Sequence, residues 1–148
     1  MAIKIKKIQE ISLTELEPII EDSQQEGILF VRRFISEWIA KTNCFDREGE
    51  VLLIAKDDRQ VIGLCGLNID PYYPISRLGR VRHLYILSSK RRQGIGTQLI
   101  ETIIKQARQN FDLLNLRTNN PQADRFYLAR GFQHSYERSE STHILKLK

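Results

Sequence analysis

The chain has 148 residues, 41% of them hydrophobic and 28% charged, with a formal net charge of +5. That length suits one domain with a buried core, and the composition is neither fibrous nor low-complexity. No apolar run reaches the roughly 18 residues of a membrane span, and the charged–apolar alternation of residues 1–8 lacks the continuous apolar stretch of a signal peptide.

In chain order, residues 3–8 alternate with period two and read as a first strand. Thr14-Glu15-Leu16-Glu17 matches a capping box, opening a short helix that ends near Asp22. From Glu26 to about Lys41, Ile28, Val31, Phe34, Ile35, Trp38 and Ile39 recur at helical spacing, with Trp38 a core anchor rather than a ligand platform. Residues 51–55 and 61–69 are strands joined by a polar turn at 57–60, which makes an antiparallel hairpin. After a stiff aromatic loop at 71–74 come a strand at 81–87, an amphipathic helix at 94–110 and a strand at 113–118. Asn120 then Pro121 form an N-cap and first-turn pair, and Gly131 is a C-terminal stop, so a helix lies between them. Residues 132–136 and 142–147 are the last two strands. Hairpins combined with strand–helix–strand crossovers predict a single mixed-sheet α/β domain over residues 1–148.

Cys44 and Cys65 form no CxxC pair, and with the scattered His83, His134 and His143 they assemble no zinc site. They read as reduced, buried thiols of a cytoplasmic protein. The one local concentration of positive charge, Lys90-Arg91-Arg92, suits a small polyanion better than a long nucleic-acid backbone.

That cluster lies where residues 81–97 run from a strand through a basic turn into a glycine-punctuated helix start. The first turn of a helix presents unpaired N–H groups and the positive end of its dipole, a ready phosphate site. Gly94 and Gly96 remove side chains that would hold an anion off, and Arg91 and Arg92 add guanidinium donors. A P-loop is excluded because Gly96 is followed by Thr97-Gln98, and a dinucleotide fingerprint because Leu99 is too large. A turn that only connects two elements is the alternative, but glycines in a first helical turn cost stability.

Arg91-Arg92-Gln93-Gly94-Ile95-Gly96 resembles the Gln/Arg-x-x-Gly-x-Gly/Ala signature of the GNAT superfamily of N-acetyltransferases. Asn120-Pro121-Gln122-Ala123-Asp124-Arg125-Phe126-Tyr127-Leu128-Ala129-Arg130-Gly131-Phe132 resembles that superfamily's Asn-x-x-Ala-x-x-Phe-Tyr-x-x-x-Gly-Phe segment. Together the two cover residues 81–132, and the element order extends the likeness to nearly the whole chain.

The resemblance implies a mostly antiparallel mixed sheet, flanked by helices and splayed where acetyl-CoA, the co-substrate, sits. It implies the pyrophosphate on the N–H groups of Gln93, Gly94, Ile95, Gly96 and Thr97, beside Arg91 and Arg92. It implies the pantetheine arm along Leu84, Tyr85 and Ile86, an N–H near Ile86 on the thioester carbonyl, and Asn120 opposite. Tyr127 would face the sulfur, where a phenol can protonate a departing thiolate. No metal is expected. Many members have a Glu base near the positions of Arg82 and His83, and this chain lacks it. His83 is the candidate base, since imidazole ordinarily titrates near neutrality; a hydrogen-bonded structural histidine is the other reading.

The reaction so implied is direct acetyl transfer to a primary amine in a ternary complex, since no cysteine holds a nucleophile position. The acceptor is a small-molecule amine or a protein amino group; neither nucleic acid nor membrane is an expected partner, and a homodimer is allowed. A non-catalytic acetyl-CoA-binding regulatory module is the alternative, and a nucleic-acid-binding domain a third class. Around residues 22–27, 70–77 and 135–142, Glu21, Asp22, Glu26 and Asp70 suit a cationic amine, whereas Arg77 and Arg138 suit a carboxylate.

Overall fold

The two periodicities resolve, in a computed structural model, into strands and helices in the expected order. The structure describes residues 2–148; Met1, part of the expected domain and N-terminal segment, lies outside the described residues. The elements are β1 (Lys4–Ile8), α1 (Leu13–Gln25), α2 (Phe30–Ile39), β2 (Val51–Lys56), β3 (Val61–Ile69), β4 (Leu78–Ile86), α3 (Ile95–Ala107), β5 (Leu113–Leu116), α4 (Pro121–Ala129), β6 (Gln133–His134) and β7 (His143–Lys146). A short 3-10 turn, Ser88–Lys90, precedes α3. The strands form one sheet in the order β1-β2-β3-β4-β5-β7-β6, antiparallel throughout except for the parallel pair β4–β5. Among the described residues no helix is long and apolar enough to cross a membrane.

Most elements end within a few residues of expectation, α2 starting at Phe30 rather than Glu26 and β5 ending at Leu116 rather than residue 118; three further differences stand out. α1 starts earlier because Ser12, not Thr14, is the N-cap: its hydroxyl accepts the Glu15 N–H at 3.2 Å, and the helix runs past Asp22 to Gln25. β4 starts at Leu78 because Leu78–Arg80 pairs with residues 113–115 of β5. Gly79 weakens the local strand signal, yet the missing side chain makes room for Phe111 and Leu114, each about 3.0 Å from where a Cβ would lie. β6 shortens to two residues.

β2 and β3 are buried on both faces, which explains their nearly continuous apolar runs. Leu99, Ile100 and Ile103 of α3, all fully buried, cover one face, while Ile19 of α1 and Phe34 of α2 cover the other. Each such side chain contributes about 1.5–3 kcal/mol of burial.

Two features of β4 shape the site. Its pairing with β5 ends at Arg80↔Asn115, after which the strands part. Its pairing with β3 shifts from Leu64↔Tyr85 to Gly66↔Arg82, so that His83 and Leu84 together oppose Cys65 alone. His83 takes a left-handed φ of 61° at this bulge, and an extra residue bends and twists a strand locally.

Candidate active site

A cleft of about 790 Å³ opens where β4 and β5 part, walled by residues 80–86, the start of α3, residues 116–118 and α4. Leu84, Ile86, Gly94, Ile95, Gly96, Thr97, Asn120 and Tyr127 all line it, so two sequence blocks some 25 residues apart meet across one opening.

The α3 end of the cleft is built from backbone. Arg92 (φ 65°) and Gly94 (φ 81°) are both left-handed, and among the described residues no side chain caps the helix that Gly94 begins. Its first N–H groups therefore remain available to an anion. Nothing lies within 4 Å of a Cβ on Gly94, so its backbone angle, not crowding, requires glycine; at Gly96 a Cβ would touch the Phe126 ring at an ordinary 3.5 Å. Gln93 is exposed and outside the cleft lining, on the outer side of the turn between the two left-handed residues. Arg130, which the sequence reading did not select, donates from Nη1 to Thr97 Oγ1 at 2.8 Å and adds a cation beside this helix start.

Strand geometry supplies a second donor. The Leu87 N–H donates to Ile62 O of β3 at 2.9 Å. Alternation along a strand then turns the Ile86 N–H away from β3, toward the side that β5 has left open. The Ile86 carbonyl, on that same side, accepts Arg91 Nε at 3.0 Å.

Arg91 lines the cleft but is engaged within the protein. It forms a two-pronged pair with Glu26, with Nη1–Oε2 at 2.8 Å and Nη2–Oε1 at 2.5 Å, and lies over the Tyr85 ring. Glu26 raises the Arg91 pKa, and Arg91 in turn holds the Glu26 carboxyl below its usual range. Three of its five donors are therefore committed within the protein, leaving Arg92, exposed and unpaired among the described residues, as the freer guanidinium. Tyr85 also lines the cleft, with its hydroxyl tied to the end of α1, 2.6 Å from Asp22 Oδ2 and 2.7 Å from Glu26 Oε1. Burial, then these two acids, push its pKa above the ordinary phenol range. Burial alone would raise Asp22, but hydrogen bonds from Tyr85 and Ser88 outweigh it and leave the carboxyl lowered.

His83 lines the cleft but does not titrate near neutrality. It is 8% exposed, ringed by Phe30, Phe34 and Phe45, with Nε2 unpartnered among the described residues. Burial, reinforced by the charges of Arg82 and Arg33, lowers its pKa to about 3. This corrects the expectation of a base near pH 7, because an imidazole enclosed by aromatic rings loses the solvation its cation needs.

Tyr127 is 6% exposed, held edge-on between Phe126 and Phe132 at ring distances of 5.3 Å. Burial raises its pKa, so the phenol keeps its proton at any working pH. Asn120 spends its side-chain oxygen capping α4, accepting from the Gln122 and Ala123 N–H groups, which leaves its amide nitrogen for the cleft. Behind Tyr127, Asp124 Oδ1 is hydrogen-bonded to both His134 and His143, fastening α4 to β6 and β7.

Sequence reasoning also missed the arginines at the other end of the cleft, Arg33, Arg80, Arg82 and Arg117. No local pattern marks them; they meet only because α2, β4 and the end of β5 converge. The Arg77 and Arg138 of the sequence reading do not line the cleft, Arg77 being paired with Asp112 and Arg138 lying over Tyr73.

Comparison with known proteins converges on one group. A family model described as an acetyltransferase (GNAT) domain matches residues 48–134. A crystal structure described as an acetyltransferase from Exiguobacterium sp. 255-15 is similar with a TM-score of 0.87 and 31% identity, over 99% of this chain and 94% of that one. A GNAT-family acetyltransferase from Staphylococcus aureus Mu50 is similar with a TM-score of 0.76 and 20% identity, over 99% and 100% of the two chains. The PaiA N-acetyltransferase from Thermoplasma acidophilum, in complex with coenzyme A, gives 0.63 and 20%, over 97% and 98%. The last two likenesses establish the fold alone. No curated protein sequence matches the chain significantly.

Proposed function

Because the chain belongs to the GNAT family of acetyltransferases, we propose that it moves an acetyl group from acetyl-CoA to a primary amine by direct attack in a ternary complex. The observation behind this reading is the uncapped start of α3 opening into the same cleft as the outward N–H of Ile86 and the phenol of Tyr127. A protein of the same fold binds coenzyme A, and the donors here suit that ligand.

The N–H groups of the first α3 turn, with Gly94 and Gly96 keeping the approach open, hold the pyrophosphate, and Arg92 and Arg130 add charge. Residues 84–86 offer a bare strand edge to the amide-bearing arm, and the Asn120 amide closes it from α4. Amine attack on the thioester builds negative charge on the carbonyl oxygen, which the Ile86 N–H stabilises. As the carbon–sulfur bond breaks, Tyr127 delivers its proton to the thiolate and regains one from solvent as the products leave.

Neither cysteine lines the cleft, and burial pushes the Cys65 thiol far above its usual pKa, so no covalent acetyl-enzyme is invoked. With His83 neutral and poorly basic, the acceptor enters as the free amine and sheds its second proton to solvent. Two free cysteines suit a reducing, cytoplasmic location.

Thiol release from acetyl-CoA, followed over a panel of primary amines, tests the reading. Turnover with any of them supports it. Tight coenzyme binding with no release from any amine would instead favour a coenzyme-binding regulatory module.

A further inference from the structure

Away from the start of α3, the cleft lining includes four arginines, Arg33, Arg80, Arg82 and Arg117. Arg33, on α2, is exposed and has no ion-pair partner among the described residues. Arg82 meets Glu37 only at 3.8 Å and Asn68 at 3.4 Å, both loose contacts. Both arginines lie near enough to His83 for their charges to depress it. Arg117 pairs with Glu140 at 2.8 Å and remains half exposed.

Behind them stands Arg80, 3% exposed, its guanidinium 4.7 Å above the Tyr72 ring, with Nη2 lacking any partner among the described residues. Its counter-ion Asp70 is saturated. One oxygen accepts Arg80 and Asn115, and the other accepts the N–H groups of Tyr72 and Tyr73.

Two more of the acids that might have attracted a cationic acceptor are committed in the same way, and Glu21 lies outside the cleft lining. Asp22 serves Tyr85 and Ser88, and Glu26 serves Arg91 and Tyr85. Among the described residues the whole cleft is lined by two acids, Glu26, already paired with Arg91, and Glu140, against six guanidinium groups. A buried guanidinium donor without an acceptor is costly, and a polycation would add repulsion. An oxyanion would relieve both.

Resting on acetyl transfer at this cleft, we propose that the acceptor is an amine that also bears an oxyanion, a carboxylate or a phosphate. Arg33, Arg82 and Arg117 would contact the oxyanion, and Arg80, whose Nη2 lacks an acceptor among the described residues, would donate to it from below. The same feature that holds the anion would orient the free amine at the thioester carbonyl near Ile86.

The test compares four acceptors of similar length in the thiol-release assay: 4-aminobutyrate, 3-aminopropyl phosphate, 4-amino-1-butanol and 1,4-diaminobutane. The expected result is a kcat/KM at least about tenfold higher for one or both anionic amines, as for a charge-assisted hydrogen bond. The ratio between the two distinguishes carboxylate from phosphate. Arg33→Ala and Arg82→Gln should raise KM for the anionic amines about tenfold each while the Kd for acetyl-CoA, which also reports folding, holds.

Equal or better use of the alcohol or diamine would overturn the inference while leaving acetyl transfer standing, as would an anion preference that survives the double substitution. If the coenzyme binds and no amine releases thiol, acetyl transfer itself fails. Calorimetric titration of 4-aminobutyrate and 3-aminopropyl phosphate into the coenzyme-loaded protein then decides the anion site. Binding lost in Arg33→Ala supports it, and no binding of either overturns it.

Discussion

Arg91 and Glu26 face each other in a two-pronged pair that ties the turn before α3 to the residue closing α1. The pair sets two neighbouring arginines apart, one holding the loop and the other, Arg92, unpaired among the described residues. Arg92→Ala should weaken acetyl-CoA binding by about 1–3 kcal/mol with little change in Tm, and should barely affect a truncated acetyl-pantetheine. Arg91→Ala should lower stability by about 1 kcal/mol, as its pair is partly exposed, and affect both ligands alike through loop disorder. Calorimetry with the two ligands, beside thermal melts, separates these patterns.

The acid side of the stability curve should report the same cluster. The folded carboxyls of Asp22 and Glu26 are lowered from ordinary values of 3.8 and 4.5. The unfolded state therefore takes up protons first, and the stabilisation present above about pH 4.5 is lost as pH falls further. Glu26→Gln should flatten that fall, measured as Tm between pH 3 and 6.

His83 should contribute in its own pH window and for the opposite chemical reason. Unfolded, the imidazole protonates near 6.5; folded, it resists until about 3. Binding more protons when unfolded, the protein should lose stability as pH falls from about 6.5 toward 3. His83→Asn, a residue that tolerates a left-handed φ, should remove that loss and leave no imidazole limb missing from kcat/KM between pH 6 and 9. A mutant profile with its acid limb flattened near pH 6.5 would return the base role to His83.

Two glycine substitutions should separate packing from ligand access. At Gly66 a Cβ would lie 2.3 Å from the Phe45 ring, so Gly66→Ala should destabilise by about 1–3 kcal/mol in denaturant melts. At Gly96 a Cβ meets only ordinary contacts, so Gly96→Ala should fold normally, whereas Gly96→Glu should fold yet lose acetyl-CoA binding by calorimetry, a carboxylate taking the anion's place.

Tyr127→Phe keeps the ring between Phe126 and Phe132 and removes only the proton. The value of kcat should fall about 10–100-fold, the low end for a general acid because a thiolate already leaves tolerably. The loss should shrink for acyl donors with more acidic thiols. A Phe variant with wild-type kcat on several donors would make Tyr127 a packing residue.

Sequence alone determined the order of elements and the two segments, residues 84–97 and 120–127, that meet at the cleft. Those depend on local signals: period two or 3.6, an Asn-Pro start at residue 120, and glycines at Gly94 and Gly96 that leave the start of α3 open. Even the misplaced start of α1 was local, a Ser12 box overlooked beside Thr14. Tertiary structure decided what side chains do once distant segments meet. His83 lost its neutral pKa because Phe30, Phe34 and Phe45 arrive from elsewhere, and Arg91 lost its freedom because α1 ends with Glu26 beside it. The four further arginines of the cleft lie on three separate segments, only Arg80 and Arg82 sharing a strand. Electrostatic environment depends on through-space neighbours and on solvent exclusion, and neither is written in the order of residues along one segment.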